Sequence, residues 1–373
     1  MGATGHCHQG WELAGWEAAL TGSQAGRRYV AAQLPSVLVM AASLPPLGWR
    51  CQVAPPIPHP AKNCPRLPAW VVKKSTAVRT CIIFNPTAKG NKARHFLKQL
   101  GEIGAGCGLN KTAAAGDARK LAADAVREGF ETIVAAGGDG TLNEVLNGIG
   151  DVPDGFQRAR LGLLPLGTVN VFARELGIST RLDDALKILK QGREIRVDLP
   201  GVEFAGAGGR TRRFFVQLAG AGLDARAIEL VSWPLKKKIG PFAYVVAGLK
   251  ALCQPPLQVT VSDGKTSATG GLVLVGNGRL YGGDFQIFPG ADMRDGLLDA
   301  CVFPRATWRT LLQCGPKLLL QHRLPERAVV RLRAAALTLS SAQRVPLEIE
   351  GELTGHLPAT FFIRPAGLRV VAP

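Results

Sequence analysis

The stretch AAGGDGTLNEVLNGI, residues 135–149, constrains this chain more than any other. A short apolar run, Thr132-Ile133-Val134-Ala135-Ala136, predicts a buried strand. It stops at Gly137-Gly138-Asp139-Gly140-Thr141. Apolar residues then recur at Leu142, Val145, Leu146 and Ile149, the i, i+3, i+4, i+7 spacing of a helix. A strand, a glycine turn and a helix start in that order make an anion site. Glycines let the backbone approach a phosphate, and the free N–H groups of the helix start point at it. An acidic residue inside a phosphate loop calls for a cation between the two charges, so Asp139 points to a magnesium-bound nucleotide. The alternative is a tight strand-to-helix turn with Asp139 as N-cap.

Charge narrows the partners. Lys and Arg number 45 against 28 Asp and Glu, a formal net charge of +17, which favours nucleic acid, phosphorylated ligands or an anionic membrane. Aromatic residues are only 6% and do not interleave with basic ones, which argues against nucleic acid. The eight cysteines never form a C-x-x-C pair, and Cys81 and Cys301 sit in apolar runs. They read as reduced, cytosolic core residues. The 373 residues suffice for two domains.

Residues 1–75 are rich in Pro, Gly and Ala, show no sustained period, and predict a disordered extension. Their best apolar run, over 37–44, is bracketed by prolines and too short to span a bilayer. From 76 to 198 strands alternate with helices, which predicts a doubly wound α/β domain with a parallel sheet covered on both faces. Strands are expected over 81–84, 109–112 and 161–164, a helix over 92–100, and helices capped by Asp117 and Asp183. Asn85, Thr112, Gly137–Thr141 and Thr168 each follow a strand, where ligands of open α/β sheets bind. Four loops are thus expected to converge on one nucleotide. From 199 to 358 short β-rich runs separated by Gly and Pro predict a mostly antiparallel β-sandwich. Among them are runs over 214–218 and 329–339. Helical stretches over 240–252 and 308–322 interrupt it.

Several spaced motifs carry a resemblance. Asn85-Pro86-x-Ala88-x-Gly90 is followed by Gly137-Gly138-Asp139-Gly140-Thr141 with Asn143-Glu144. Then come Gly167-Thr168-x-Asn170-x-Phe172-Ala173-Arg174, Gly276-Asn277-Gly278, Gly282-Gly283, Asp295-Gly296-Leu297-Leu298-Asp299 and Glu350-Gly351-Glu352. In this order the chain resembles the diacylglycerol kinase catalytic family, which includes sphingosine kinases and bacterial lipid kinases. Lys89, Val171 and Glu350 depart from residues common in that family. The resemblance implies two domains with ATP in the cleft between them, and a C-terminal strand, 359–373, returning to the first domain. It implies that Asn85, Thr112, Gly137, Gly138, Asp139, Gly140, Thr141, Asn143 and Thr168 contact ATP, and that Asp139 works with catalytic magnesium. Glu352 would be the general base on a lipid hydroxyl. A second, structural magnesium is implied near Asp292, Asp295 and Leu297, with Asp295 giving its carboxylate and the other two their carbonyls.

The expected reaction is ATP- and magnesium-dependent phosphorylation of a lipid hydroxyl, on diacylglycerol or a related lipid. The rivals are an NAD kinase-like enzyme, which would lack the 295–299 and 350–352 segments, and a catalytically silent nucleotide-sensing or membrane-binding protein on the same fold. Intact Asp139 and Glu352 argue against the latter. Lys236-Lys237-Lys238, ahead of the apolar run over 242–249, fits peripheral contact of a cytoplasmic enzyme with an anionic membrane. A core helix behind a solvated loop is the alternative. Which lipid is phosphorylated, and whether the protein is a homodimer, are left open.

Overall fold

The computed structural model describes residues 78–87, 96, 107–206, 209–231 and 242–373. The 1–75 extension, nearly all of the helix expected over 92–100, and the Lys236–Lys238 cluster lie outside the described residues.

Strands β1 (Thr80–Phe84), β2 (Cys107–Lys111), β3 (Thr132–Gly137) and β4 (Arg160–Pro165) pair in parallel in the order β2-β1-β3-β4. Strand β3 is buried at every position. That is why its sequence is a continuous apolar run rather than an alternation. In β1, Cys81 and Ile83 pack under the helices Asp117–Arg127 and Asp139–Gly150. Ile82 and Phe84 face the opposite layer, with Leu182, Ala185 and Leu186 of the helix Leu182–Gln191. Successive strand residues thus feed two cores, as the pleat requires.

The second half is built from β5 (Arg193–Gly206), β6 (Gly209–Phe214), β7 (Leu218–Gly222), β8 (Val259–Ser262) and β9 (Ser267–Gly270). It continues through β10 (Leu272–Gly276), β11 (Leu280–Tyr281), β12 (Phe285–Gln286) and β13 (Leu298–Phe303) to β14 (Val330–Ala334), β15 (Ala336–Ser340), β16 (Pro346–Ile349) and β17 (Glu352–Ala372). One antiparallel arm runs β17-β16-β7-β10-β13-β14. Another branches from β17 through β5 to β6 and through β15 to β8 and β9. The arms enclose a single core in which Val202, Val261, Leu274, Leu337, Leu347 and Phe361 are fully buried.

Strand β17 joins the two halves. It runs antiparallel to β5, from His356 opposite Ala205 to Ala372 opposite Arg193, and parallel to β4 where Val370 meets Leu161. Its register shifts between Arg364 and Leu368, where Ala366 has φ 50°. Asp198 holds that irregularity: its Oδ1 accepts the Ala366 N–H at 2.7 Å and its Oδ2 accepts the Gly296 N–H at 2.7 Å.

The expected domain change at 198–199 falls inside β5, where Pro200 pairs opposite Ile363. Three local expectations need correcting, those of the 214–218 run and of the Asp117 and Asp183 caps; Asp183 lies inside its helix, whose N-cap position is Arg181. The run expected over 214–218 is divided between β6 and β7, because the N–H groups of Val216 and Gln217 are taken by the Glu350 carboxylate instead of a ladder. Asp117 does not cap its own helix. Its carboxylate accepts from Ala113 and Ala114, and Gly116 occupies the N-cap position.

Candidate active site

The loops after β1, β3 and β4 meet. Asn85 donates its Nδ2 to Thr141 Oγ1 at 3.1 Å and its backbone N–H to the Ala136 carbonyl at 3.0 Å. Thr112 donates its N–H to the Phe84 carbonyl at 3.0 Å. Leu166 and Gly167 both donate to the Gly137 carbonyl. The backbones of the glycine loop and the third loop touch: a Cβ on Gly167 would lie 2.5 Å from Gly138 Cα. Thr168 lies exposed on that third loop.

Asp139 is the first residue of its helix and does not cap it; Gly138 holds that position. Its Oδ1 accepts the N–H of Val171 at 2.8 Å and its Oδ2 that of Asn170 at 3.0 Å. The carboxylate therefore caps the start of another helix, Val171–Glu175. Burial pushes the Asp139 carboxyl up, opposed by these two N–H donors.

The facing wall is the turn between β16 and β17. Glu350 and Gly351 both have left-handed backbones, with φ 52° and 82°, which only glycine adopts at little cost. Hydrogen bonds hold the turn in that shape. The half-buried Glu350 carboxylate accepts from Val216 at 2.7 Å and Gln217 at 2.8 Å, and Glu348 Oε2 accepts the Gly351 N–H at 2.8 Å. Burial pushes the Glu350 carboxyl up to about 7, with the negative charge of Asp139 adding to the shift.

Glu352 opens β17 and lines a pocket of about 220 Å³ with Asn143, Glu144, Arg119 and Arg213. Burial, then the nearby charge of Glu144, pushes its carboxyl up to about 7. Glu144 is itself engaged, accepting the N–H groups of Gly116 at 2.6 Å and Ala118 at 3.0 Å. It satisfies donors that the helix start leaves free.

Three residues that the sequence reading missed line a second cavity beside Asp139 and Glu350: Asp224, Tyr281 and Glu348. The Tyr281 hydroxyl donates to Asp224 Oδ2 at 3.0 Å. Asp224 Oδ1 and Glu348 Oε1 are buried with no hydrogen-bond partner among the described residues. Burial raises both carboxyls, and the charge of Asp224 raises Glu348 further. A signal was available: Asp224 is a carboxylate that follows the apolar run ending Gly222-Leu223, and Glu348 stands between Leu347 and Ile349.

Asp292, Asp295 and Leu297 share one turn ahead of β13, and none of the three lines either of these spaces. Asp292 Oδ1 accepts the Arg294 N–H at 3.1 Å and Asp295 Oδ1 the Leu297 N–H at 2.9 Å. The other Asp295 oxygen is paired with Arg333, which also bonds Asp299 at 3.1 Å.

This architecture has relatives. Residues 79–202 match the diacylglycerol kinase catalytic domain, and residues 217–372 match the YegS C-terminal NAD kinase beta sandwich-like domain. A diacylglycerol kinase of Staphylococcus carnosus (strain TM300) is 30% identical over 309 residues, covering 79% of this chain and 95% of that protein. The chain belongs to the diacylglycerol kinase family. It is accordingly a lipid kinase. A diacylglycerol kinase of Staphylococcus aureus (strain bovine RF122 / ET3-1) is likewise 30% identical, over 305 residues, covering 79% of this chain and 92% of that one. The fold is also that of the crystal structure of a diacylglycerol kinase from Bacillus anthracis str. Sterne, with TM-score 0.63 at 22% identity, covering 80% of this chain and 98% of that one. Among the described residues no helix is long and apolar enough to cross a membrane.

Proposed function

We propose that this lipid kinase transfers the γ-phosphoryl group of ATP to the hydroxyl of diacylglycerol or a related lipid, with magnesium. The observation that carries this reading is Glu352, a carboxylate with its proton affinity raised to about 7 in a pocket it shares with Asn143 of the glycine-loop helix. A base poised near working pH keeps a substantial ionised fraction and is strong enough to take a hydroxyl proton. The lipid oxygen bonds to the γ-phosphorus, the bond to the β–γ bridging oxygen breaks, ADP departs, and the hydroxyl proton passes to Glu352.

In this reading ATP lies on the loops that hold Asn85, Thr112, Gly137–Thr141, Asn143 and Thr168. The close contact of Gly138 with Gly167 supports it, since it leaves the backbone bare where phosphates would approach. The donors beside these loops suit magnesium. Asp139 and Glu350 offer hard carboxylate oxygens on one cavity, and magnesium in kinases is held by one or two carboxylates together with substrate phosphates. Bound by Asp139, it would neutralise charge on the phosphates. The 292–297 turn fits a second magnesium poorly, because the guanidinium of Arg333 already stands on Asp295. No step is assigned there.

The substrate resides in a bilayer, so the enzyme would act as a peripheral protein at a membrane surface. Free, buried Cys81, Cys301 and Cys314 support a cytoplasmic setting. The test is the full-length protein with γ-labelled ATP, magnesium chloride and a panel of diacylglycerol, sphingoid base, phosphatidylglycerol and polyprenol. Label is expected in phosphatidic acid or another panel product. Label on NAD and on no lipid would overturn the reading.

A further inference from the structure

The helix Trp308–Gln321 carries an apolar face that the fold leaves uncovered. Cys314 and Leu318, four residues apart and so on one stripe, are buried in the sandwich core. Trp308 and Leu312, one turn apart on a neighbouring stripe, are 54% and 66% exposed; Leu311, at the margin of the buried stripe, is 42% exposed, and Leu320 near the far end is 82% exposed. Nine large apolar residues are exposed among the described ones, and four of the nine sit on this helix. That is a patch, not the scatter expected of a surface.

The surroundings say what covers it. Between 304 and 327 the chain carries five Lys and Arg residues against one acid, Glu326. Arg305, Arg309 and Lys317 are exposed and form no ion pair among the described residues. A second copy of the chain would bring the same basic rim against itself, on a protein of net charge +17. An anionic surface is complementary instead.

The helix is also joined to the cavity beside Asp139. At its end His322 stacks on Phe285 with ring centroids 5.6 Å apart, and its carbonyl accepts the Gln286 N–H at 2.7 Å. Phe285 pairs with Tyr281 across the β11–β12 hairpin, and Tyr281 lines the cavity beside Asp139. One short hairpin separates the exposed helix from that cavity.

We propose that the helix Trp308–Gln321 is a membrane-docking element: its apolar stripe enters the headgroup region of an anionic bilayer while Arg305, Arg309 and Lys317 meet lipid phosphates. The choice of a bilayer rests on the lipid-kinase reading. The location follows from the exposed stripe and its basic rim, and is separate from the Lys236–Lys238 cluster.

The experiment is co-sedimentation of the full chain with phosphatidylglycerol-containing vesicles and with vesicles of phosphatidylcholine alone. Two variants are compared with the parent, Leu312→Gln with Leu320→Gln, and Arg305→Gln with Arg309→Gln and Lys317→Gln. The parent is expected to favour the anionic vesicles. The charge variant should bind them roughly 100-fold more weakly at low salt, a gap that high salt closes. The apolar variant should lose at least about tenfold. All the substituted side chains are exposed, so both variants should keep the parent's Tm and its turnover of a short-chain, water-soluble diacylglycerol. Parent-like vesicle binding by both variants overturns the assignment. So does a change in oligomeric state on size exclusion with vesicle binding intact, which would make the stripe a self-association face. Sedimentation needs no turnover, so the docking assignment stands or falls apart from the choice of lipid acceptor.

Discussion

Asp139 Oδ1 accepts the backbone N–H of Val171 at 2.8 Å. One carboxylate thus ties the glycine loop after β3 to the helix start after β4, two loops that otherwise meet through backbone contacts at Gly137, Gly138, Leu166 and Gly167. In Asp139→Asn the amide offers one acceptor oxygen, so at least one of the two N–H groups loses its partner, at a cost of about 1–3 kcal/mol. Tm should fall accordingly, and turnover should fall much further if the charge faces magnesium as proposed. A lowered Tm with near-parental turnover would show that Asp139 is only a staple between loops.

The second prediction concerns the backbone contact. A Cβ at position 167 would lie 2.5 Å from Gly138 Cα and 2.8 Å from Asn170 Oδ1. Gly167→Ala should therefore push the loops apart, with an overpacking cost of about 1–3 kcal/mol and weaker ATP binding in a nucleotide titration. Gly248 has nothing within 4 Å of its virtual Cβ. Gly248→Ala, within a helix, should stabilise by up to about 1 kcal/mol and leave ATP binding unchanged.

For Glu352 the test is a rate profile. Its carboxyl is raised to about 7, and only the ionised form can accept a proton. kcat/KM should therefore climb with pH toward a plateau above about 7. Glu352→Gln should lower turnover by roughly 100-fold or more with ATP affinity near the parent. A variant that keeps near-parental turnover on its lipid would remove Glu352 from the mechanism.

Glu350 gives a stability signature. Its carboxyl is raised from 4.5 to about 7, so the folded chain holds that proton over a range where the unfolded chain has released it. Its contribution is fully present below about pH 4.5 and is lost as pH rises through about 7. Glu350→Gln keeps an acceptor for Val216 and Gln217 and removes the ionisation. The Tm of the variant, relative to the parent, should thus improve between pH 5 and pH 8. A parent–variant difference that does not move with pH would mean that Glu350 titrates normally.

Arg333 makes the last prediction. Its guanidinium neutralises Asp295 and Asp299 at the turn expected to hold a metal. The parent's Tm should be indifferent to EDTA. Arg333→Met leaves the buried Asp299 uncompensated, so Tm should drop, and millimolar magnesium should restore part of the loss. A parent whose Tm falls in EDTA would show that a metal sits there despite the arginine.

The glycine loop was legible because its signal is local. Strand β3, its turn and the following helix occupy consecutive residues and each shows its own period. The long strands were not. Asp198-Leu199-Pro200-Gly201 looks like a turn, yet β5 passes straight through it. Pro358 and Pro365-Ala366-Gly367 look like stops, yet β17 absorbs them with register shifts, one of them held by Asp198. Such irregularities depend on partners far away in sequence. The Asp224–Tyr281 bond and the lone oxygen of Glu348 were hidden for a similar reason: an apolar run shows that a carboxylate is buried but not which cavity it faces.

Strand β17 starts at Glu352 and reaches the parallel sheet only at Val370. The proposed base therefore opens a strand whose far end is seated in the nucleotide-binding sheet. A disturbance at that sheet, some eighteen residues along the same strand, would be felt at the proposed phosphoryl-transfer centre rather than only where it was made.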